Sequence, residues 1–337
     1  MKKFISTIAL MSMTALLVPG PSSVLLARHA KIAKNIERPV KLNNLIGRKK
    51  LETYKAIAVR PLNYKEAWNV LSNIQEKSHE SVPFEKAEQL TGGRYVFTAE
   101  NDHSAIFDID PATGSFLLNF GLKKYTHEHS TLNLPSSSQA PEIARKRLAE
   151  TGQLPANVKE MVVTHVGGLD MAVAKYEFKP LTFKKLVTVQ FGRVLNRLSV
   201  QGPGSRIVVN LGEDGALAGL IRNWPEVQSK KVAKSALKSN ALIRKEILQQ
   251  LRITAGDAKQ TYIRKATLVL YDDGRGVIEP AIFVVADARY VGPKNEPLVN
   301  NPVDFYVPVL KRPAAYYPYM KSRNANPPGY DEHQKSR

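Results

Sequence analysis

The chain has 337 residues, 43% of them hydrophobic, and carries 49 Lys and Arg against 30 Asp and Glu, a formal charge of +19, with no cysteine. The missing thiols exclude disulfide staples, Cys-ligated zinc, iron–sulfur clusters and a thiol nucleophile, so stability has to come from an apolar core. Residues 28–65 hold eleven cations against two acids, 229–252 seven against one and 311–337 six against two. The rest is near neutral, and basicity concentrated in this way suits contact with an anionic surface.

Residues 1–27 have the parts of a secretory signal. Lys2 and Lys3 are followed by an apolar run over 4–18, shorter than a membrane span, and then by Pro19, Gly20, Pro21 and small residues suited to cleavage. The expectation is a secreted or periplasmic protein. Behind the signal come a basic arm over 28–50, a first unit over 51–134, a second over 135–310 and a basic Tyr/Pro-rich tail over 311–337.

A strand is predicted over 51–60, ended by Pro61. Asn63 caps a helix in which Ala67, Val70, Leu71 and Ile74 lie at helical spacing. Residues 77–91 read as polar and irregular. Strands follow at 94–99, 104–109 and 115–120, the last two joined by Asp110-Pro-Ala-Thr-Gly114. After a linker over 123–138, one of Ser136 to Ser138 caps a helix over 140–151 with Ile143, Ala144 and Leu148 as its buried stripe. Strands are predicted at 158–166, 171–179 and 186–198. The stretch 205–224 is a hairpin turned by Glu213-Asp214-Gly215, because Gly accepts the positive φ of a tight turn. Residues 230–252 form the longest predicted helix, with Val232, Ala236, Leu237, Ile243, Ile247, Leu248 and Leu251 on one face and Lys/Arg on the other. Strands at 262–271 and 277–286, joined by the Asp272–Gly276 turn, and at 303–309 complete the body. The pattern points to an α+β protein of two related lobes, each a helix packed on an antiparallel β-sheet.

The order strand, helix, meander, with Ile109-Asp-Pro-Ala-Thr-Gly114 in the turn, resembles the PepSY-like domain of exported bacterial proteins and protease propeptides. The helix near 136–152 and the hairpin near 206–221 are similar to the second repeat of two-repeat proteins of that kind. The resemblance implies binding of peptides or inhibition of proteases, with no catalytic residues and no cofactor.

His127 and His129 are the one close histidine pair. On a strand they point to the same side and can bind one metal, with His103, Asp108 or Asp110 as a third ligand. In an exposed loop they are a solvated turn. A nucleophile elbow and a phosphate-binding loop are both missing from the sequence. Lys230, Lys231, Lys234, Lys238, Arg244 and Lys245 are the candidate contacts to an anionic membrane surface or acidic polymer. Tyr316, Tyr317 and Tyr319, among Lys311, Arg312, Lys321 and Arg323, combine aromatic faces with cations, a mixture that can stack on sugars or bases or form a docked C-terminal strap; the strap is the favoured reading, and no recognised nucleic-acid module accompanies them. The expected function is an exported, non-catalytic binding or regulatory protein that holds a peptide or protein segment on a sheet edge or in a helix groove. The alternatives are a secreted hydrolase or metal-dependent enzyme centred near His127 and His129, and a secreted toxin or host-interacting factor. Oligomeric state is not legible.

Overall fold

The computed structural model describes residues 42, 44–47, 50–89, 93–100, 102–121, 123–173, 181–291 and 299–318. The segment 1–27 expected to be a signal, most of the basic arm and the tail from Tyr319 onward fall outside the described residues. No helix among them is long and apolar enough to cross a membrane.

Asn63 behaves as its sequence context demands. Its side chain accepts from the Glu66 N–H at 3.0 Å while Glu66 reaches back to the Asn63 N–H at 2.8 Å, a reciprocal cap that starts α1 (Tyr64–Ser78). The β1 strand (Glu52–Ala56) precedes it. A strand not expected from the polar 77–91 stretch, β2 (Phe84–Gln89), then leads into the meander β3 (Tyr95–Ala99), β4 (Asp102–Ile109) and β5 (Phe116–Phe120). The β4–β5 turn closes on Asp110, whose carboxylate accepts from the Ala112 N–H and the Thr113 hydroxyl, with Gly114 at φ 67°. Helix α2 (Ala140–Glu150) starts without a side-chain cap, because Gln139 rather than a serine takes the cap position.

The next strands differ from expectation. Residues 161–173 form one strand, β6 (Met161–Val173), that runs through Gly167 and Gly168. A Cβ at Gly168 would collide with the Leu186 carbonyl oxygen, so glycine allows the two strands to close there. Its partner β7 (Leu181–Leu195) turns through Asn196 and Arg197, both at positive φ, into β8 (Leu198–Gln201). The hairpin β9 (Arg206–Leu211) and β10 (Leu217–Asn223) forms as predicted around 213–215.

The predicted basic helix does not form as one piece. Residues 227–231 are a strand, β11 (Val227–Lys231), paired with β1, 234–236 make a single 3-10 turn, and only Asn240–Ala255 is α-helical, as α3 capped by Ser239. Pairing to β1 satisfies backbone groups that helix continuation would otherwise use, and Ser239 offers its side chain to the Leu242 N–H. The chain closes with β12 (Gln260–Asp272), β13 (Val277–Tyr290) and β14 (Val299–Pro308).

The expected two-lobed α+β architecture is corrected by the sheet itself. The described strands form one 14-stranded, mostly antiparallel sheet in the order β11-β1-β13-β12-β8-β7-β9-β10-β5-β4-β3-β2, with β14 beside β13 and β6 beside β7. Its one parallel pairing is β8 with β12. The first meander is not closed on itself, because β5 pairs with β10, and β1 leaves its own neighbours to sit between β11 and β13. Nor does each half carry one helix: α1 and α2 share a single apolar cluster with β2 to β7, β9 and β10, and α3 packs against β13 and β14 in a second cluster. The protein is mostly β. Open hairpins leave unpaired N–H and C=O rows, and joining them edge to edge satisfies those rows in a way that no local pattern announces.

Candidate functional site

The site is built on β7. Over Val187–Gly192 this strand is paired on both sides, to β6 and to β9. Before Val187 the partner β9 has ended, and 181–186 are paired only to β6, so that the two strands run on as a ribbon. The flank that β9 vacates is closed at its base by the loop 127–131. Thr131 donates its N–H to the Lys184 carbonyl at 2.9 Å and its hydroxyl to the Lys185 carbonyl at 2.9 Å, and the Lys184 N–H bonds the Ser130 hydroxyl at 3.2 Å.

Lys185 is the anchor of that loop and was not singled out from the sequence. Its side chain is 2% exposed, and its ammonium donates to the carbonyl oxygens of His127 and His129. Burial pushes its pKa below the ordinary lysine value. The only sequence signal is an interrupted alternation, Phe183-Lys-Lys-Leu186, which surface lysines produce equally well.

His127 and His129 are held through their backbone carbonyls, which accept from Lys185. Their rings stack with centroids 5.6 Å apart and planes 3° from parallel, on the exposed side of the loop. Asp102, not the expected His103, Asp108 or Asp110, shares an open cleft of about 420 Å³ with His127. No group of three His, Cys, Asp or Glu side chains among the described residues is placed to hold a metal. The other acids have structural partners: Asp108 pairs with Arg94 at 2.7 Å, Asp102 accepts from the Ser104 N–H, and Asp110 closes its turn.

The outer edge of β6 is the other half of the site. Its 13 residues carry two register shifts, at Val163/His165 and Leu169/Asp170, and among the described residues they pair with no strand other than β7. Val163 and Leu169 are 38% and 44% exposed on this edge, and Leu181 on the facing strand is 53% exposed. An unpaired row of this length is a template for strand addition, and the shifts that twist it keep it from pairing indiscriminately.

The six predicted anion contacts do not form one surface. Lys238 is buried, pairing with Glu246 at 2.6 Å and donating to the Pro308 carbonyl at 3.0 Å. Lys230 and Lys231 are exposed but occupy successive positions of β11, which project to opposite faces. Lys234 lies in a short turn, and Arg244 and Lys245 lie on the exposed side of α3.

No family model matches the chain, and no curated protein matches it. Among solved structures it is similar to an uncharacterized protein from Eubacterium rectale, with 13% identity over 78% of this chain and 84% of that one and a TM-score of 0.45.

Proposed function

We propose that the protein is an exported binding protein that captures an extended peptide segment by adding it as a strand to the outer edge of β6. The observation that carries this reading is the 13-residue edge that no described strand other than β7 pairs with, anchored through β7 to the body of the sheet. Main-chain hydrogen bonds would supply affinity, and the alternating side chains of the ribbon, Val163 and Leu169 among them, would supply selectivity. The signal-like 1–27 segment supports export. The exposed cations of β11, the 234–236 turn and α3, on a chain of net charge +19, favour an anionic envelope as the place where capture occurs.

The test selects binders from a random peptide library with the immobilised full chain, then follows amide hydrogen exchange with and without the selected peptides. The expected result is new protection confined to 161–173. Prolines at those positions of 168–172 whose N–H points away from β7 should abolish capture and leave the thermal transition in place. Peptides that protect another edge, or proline variants that still bind, would refute the reading.

A further inference from the structure

Helix α3 has one side covered by the sheet and one side open. Ile243, Ile247, Gln250, Leu251 and Ala255 are buried, with β13 and β14 against them. The open side carries Leu242, Leu248 and Ile253, exposed by 41%, 39% and 51%, together with Arg244, Lys245 and Arg252. Leu248, expected from the sequence on the buried stripe, falls instead in line with Ala241, Lys245 and Arg252 at spacings of three and four. Leu242, Gln249 and Ile253 make the adjacent line. No acid is exposed on α3, because its one carboxylate, Glu246, is taken by the buried Lys238 ammonium at 2.6 Å. None of the three outer cations pairs with an acid among the described residues. The cationic surface continues past the start of the helix: Lys234 is exposed in the preceding turn, and the exposed Arg312 follows Lys311, whose N–H bonds the Ala236 carbonyl at 2.9 Å.

The open side of α2 is the internal contrast. It carries Glu142, Lys146, Ala149 and Glu150, with no large apolar side chain, and Glu150 pairs with Arg147 at 3.0 Å and with Lys146 at 3.9 Å. That is a side made for water, with both signs of charge answering each other. On α3 the charges are of one sign and aliphatic side chains lie among them. An acidic polymer would take the cations and leave the aliphatic groups wet, whereas the interface of an anionic bilayer takes both at one depth. The helix cannot cross such a bilayer: it has 16 residues, a length of about 24 Å, and is not apolar enough to span. With its inner side closed by the sheet, it can only lie flat and offer its outer side chains.

We infer that the outer side of α3 is a membrane-docking face, lying in the headgroup layer of an anionic phospholipid bilayer. Leu242, Leu248 and Ile253 enter just below the headgroups, and Arg244, Lys245 and Arg252 are held at the lipid phosphates. The contact is peripheral and reversible, because it inserts three side chains and no backbone. The inference rests on the envelope setting proposed above and not on the β6 edge. Peptide capture at that edge is measured without vesicles, so either reading can fail alone.

The experiment co-sediments the full chain with vesicles of phosphatidylcholine alone and of phosphatidylcholine mixed with phosphatidylglycerol, at low and high salt. Binding should appear on the mixed vesicles only and weaken as salt rises. Arg244→Gln, Lys245→Gln and Arg252→Gln should each weaken it about fivefold at low salt. The pair Leu248→Ser and Ile253→Ser leaves the net charge unchanged and should weaken it about tenfold or more. The same pair should bind dextran sulfate as the parent does and keep the parent's thermal transition. Serine variants that hold the mixed vesicles as well as the parent overturn the inference, because cations elsewhere or the 1–27 segment then suffice. Equal binding to both kinds of vesicle, or binding to neither, overturns it too. Should the serine pair not fold, Leu248→Trp is read in its place: its emission should move to the blue on the mixed vesicles, and unchanged emission there overturns the inference as well.

Discussion

The β4–β5 and β12–β13 turns use one local chemistry for two physical ends. In the first, Asp110 gathers the Ala112 N–H and the Thr113 hydroxyl in contact with solvent. In the second, Asp272 takes the Gly274 N–H and Asp273 those of Arg275 and Val277, but both carboxylates are buried. The loop 202–205 closes over Asp272, with the Ser205 hydroxyl donating to it at 2.6 Å, and the C-terminal strap closes over Asp273 through the Tyr316 N–H. The difference extends into the strands. Between α1 and the sheet runs an aromatic row, Trp68–Phe97–Phe107–Phe116, at spacings of 5.3–5.9 Å. The buried carboxylates among the described residues, Asp272, Asp273, Glu279 and Asp287, all belong to the β12–β13 hairpin. Both ends of the sheet are held by apolar packing, under α1 and α2 in one and under α3 in the other, but only the second also buries carboxylates that must remain covered.

Three substitutions sharpen this contrast. Phe107→Ala removes a ring with no exposed surface, flanked by Phe97 and Phe116, and should cost about 3–5 kcal/mol in denaturant unfolding, equally at pH 5 and pH 8. A loss that varies with pH would show that the aromatic row is coupled to the charged end. Glu279→Gln should act in the opposite way, changing the pH profile more than the stability at any one pH. Burial raises the Glu279 carboxyl above its ordinary 4.5, against the lowering pull of the Ala314 and Ala315 N–H groups and Tyr317. The folded state therefore keeps a proton that the unfolded chain has released, so stability falls as pH rises from 4.5 through the raised value. The fall is absent at lower pH, where both states are protonated. Asp272, raised mainly by burial, adds to it, so the glutamine variant should flatten the profile without levelling it. A variant with the parent's profile would remove Glu279 from this account. The smallest effect is expected at Asn63→Ala, which deletes the cap of α1 for about 1 kcal/mol with no change of pH profile.

What was legible follows from range. The Asn63 cap, the α2 stripe of Ala144 and Leu148, and the turns at 110–114, 213–215 and 272–276 are settled within a few residues, and all were readable. The docked strap was readable in part, because Tyr316 and Tyr317 sit among breakers and cations that leave them little but a surface to cover; Tyr319 falls outside the described residues. The β2 strand was missed because FEKAEQ is polar and forms only against β3. The basic helix was overextended because Val232 and Leu237 keep helical spacing with Ile243, although the first two reach the same core from a strand end and a turn. The candidate site was less legible still. Histidines 127 and 129 drew attention as ligands, while the group that matters to their loop is Lys185, 56 residues away from His129 and invisible without the fold.

By itself, then, the amino-acid order determined where the chain bends, where two of its helices begin, and that no thiol chemistry is open to it. Tertiary structure alone decided which strands became neighbours: that β1 joins β11 and β13, that β5 joins β10, and that β6 has, among the described strands, β7 as its one partner. The reason is that a strand's hydrogen-bonding groups are the same whatever its side chains. Pairing is therefore chosen by the whole set of edges seeking partners, and both the β6 edge and the buried carboxylates exist only once that choice is made.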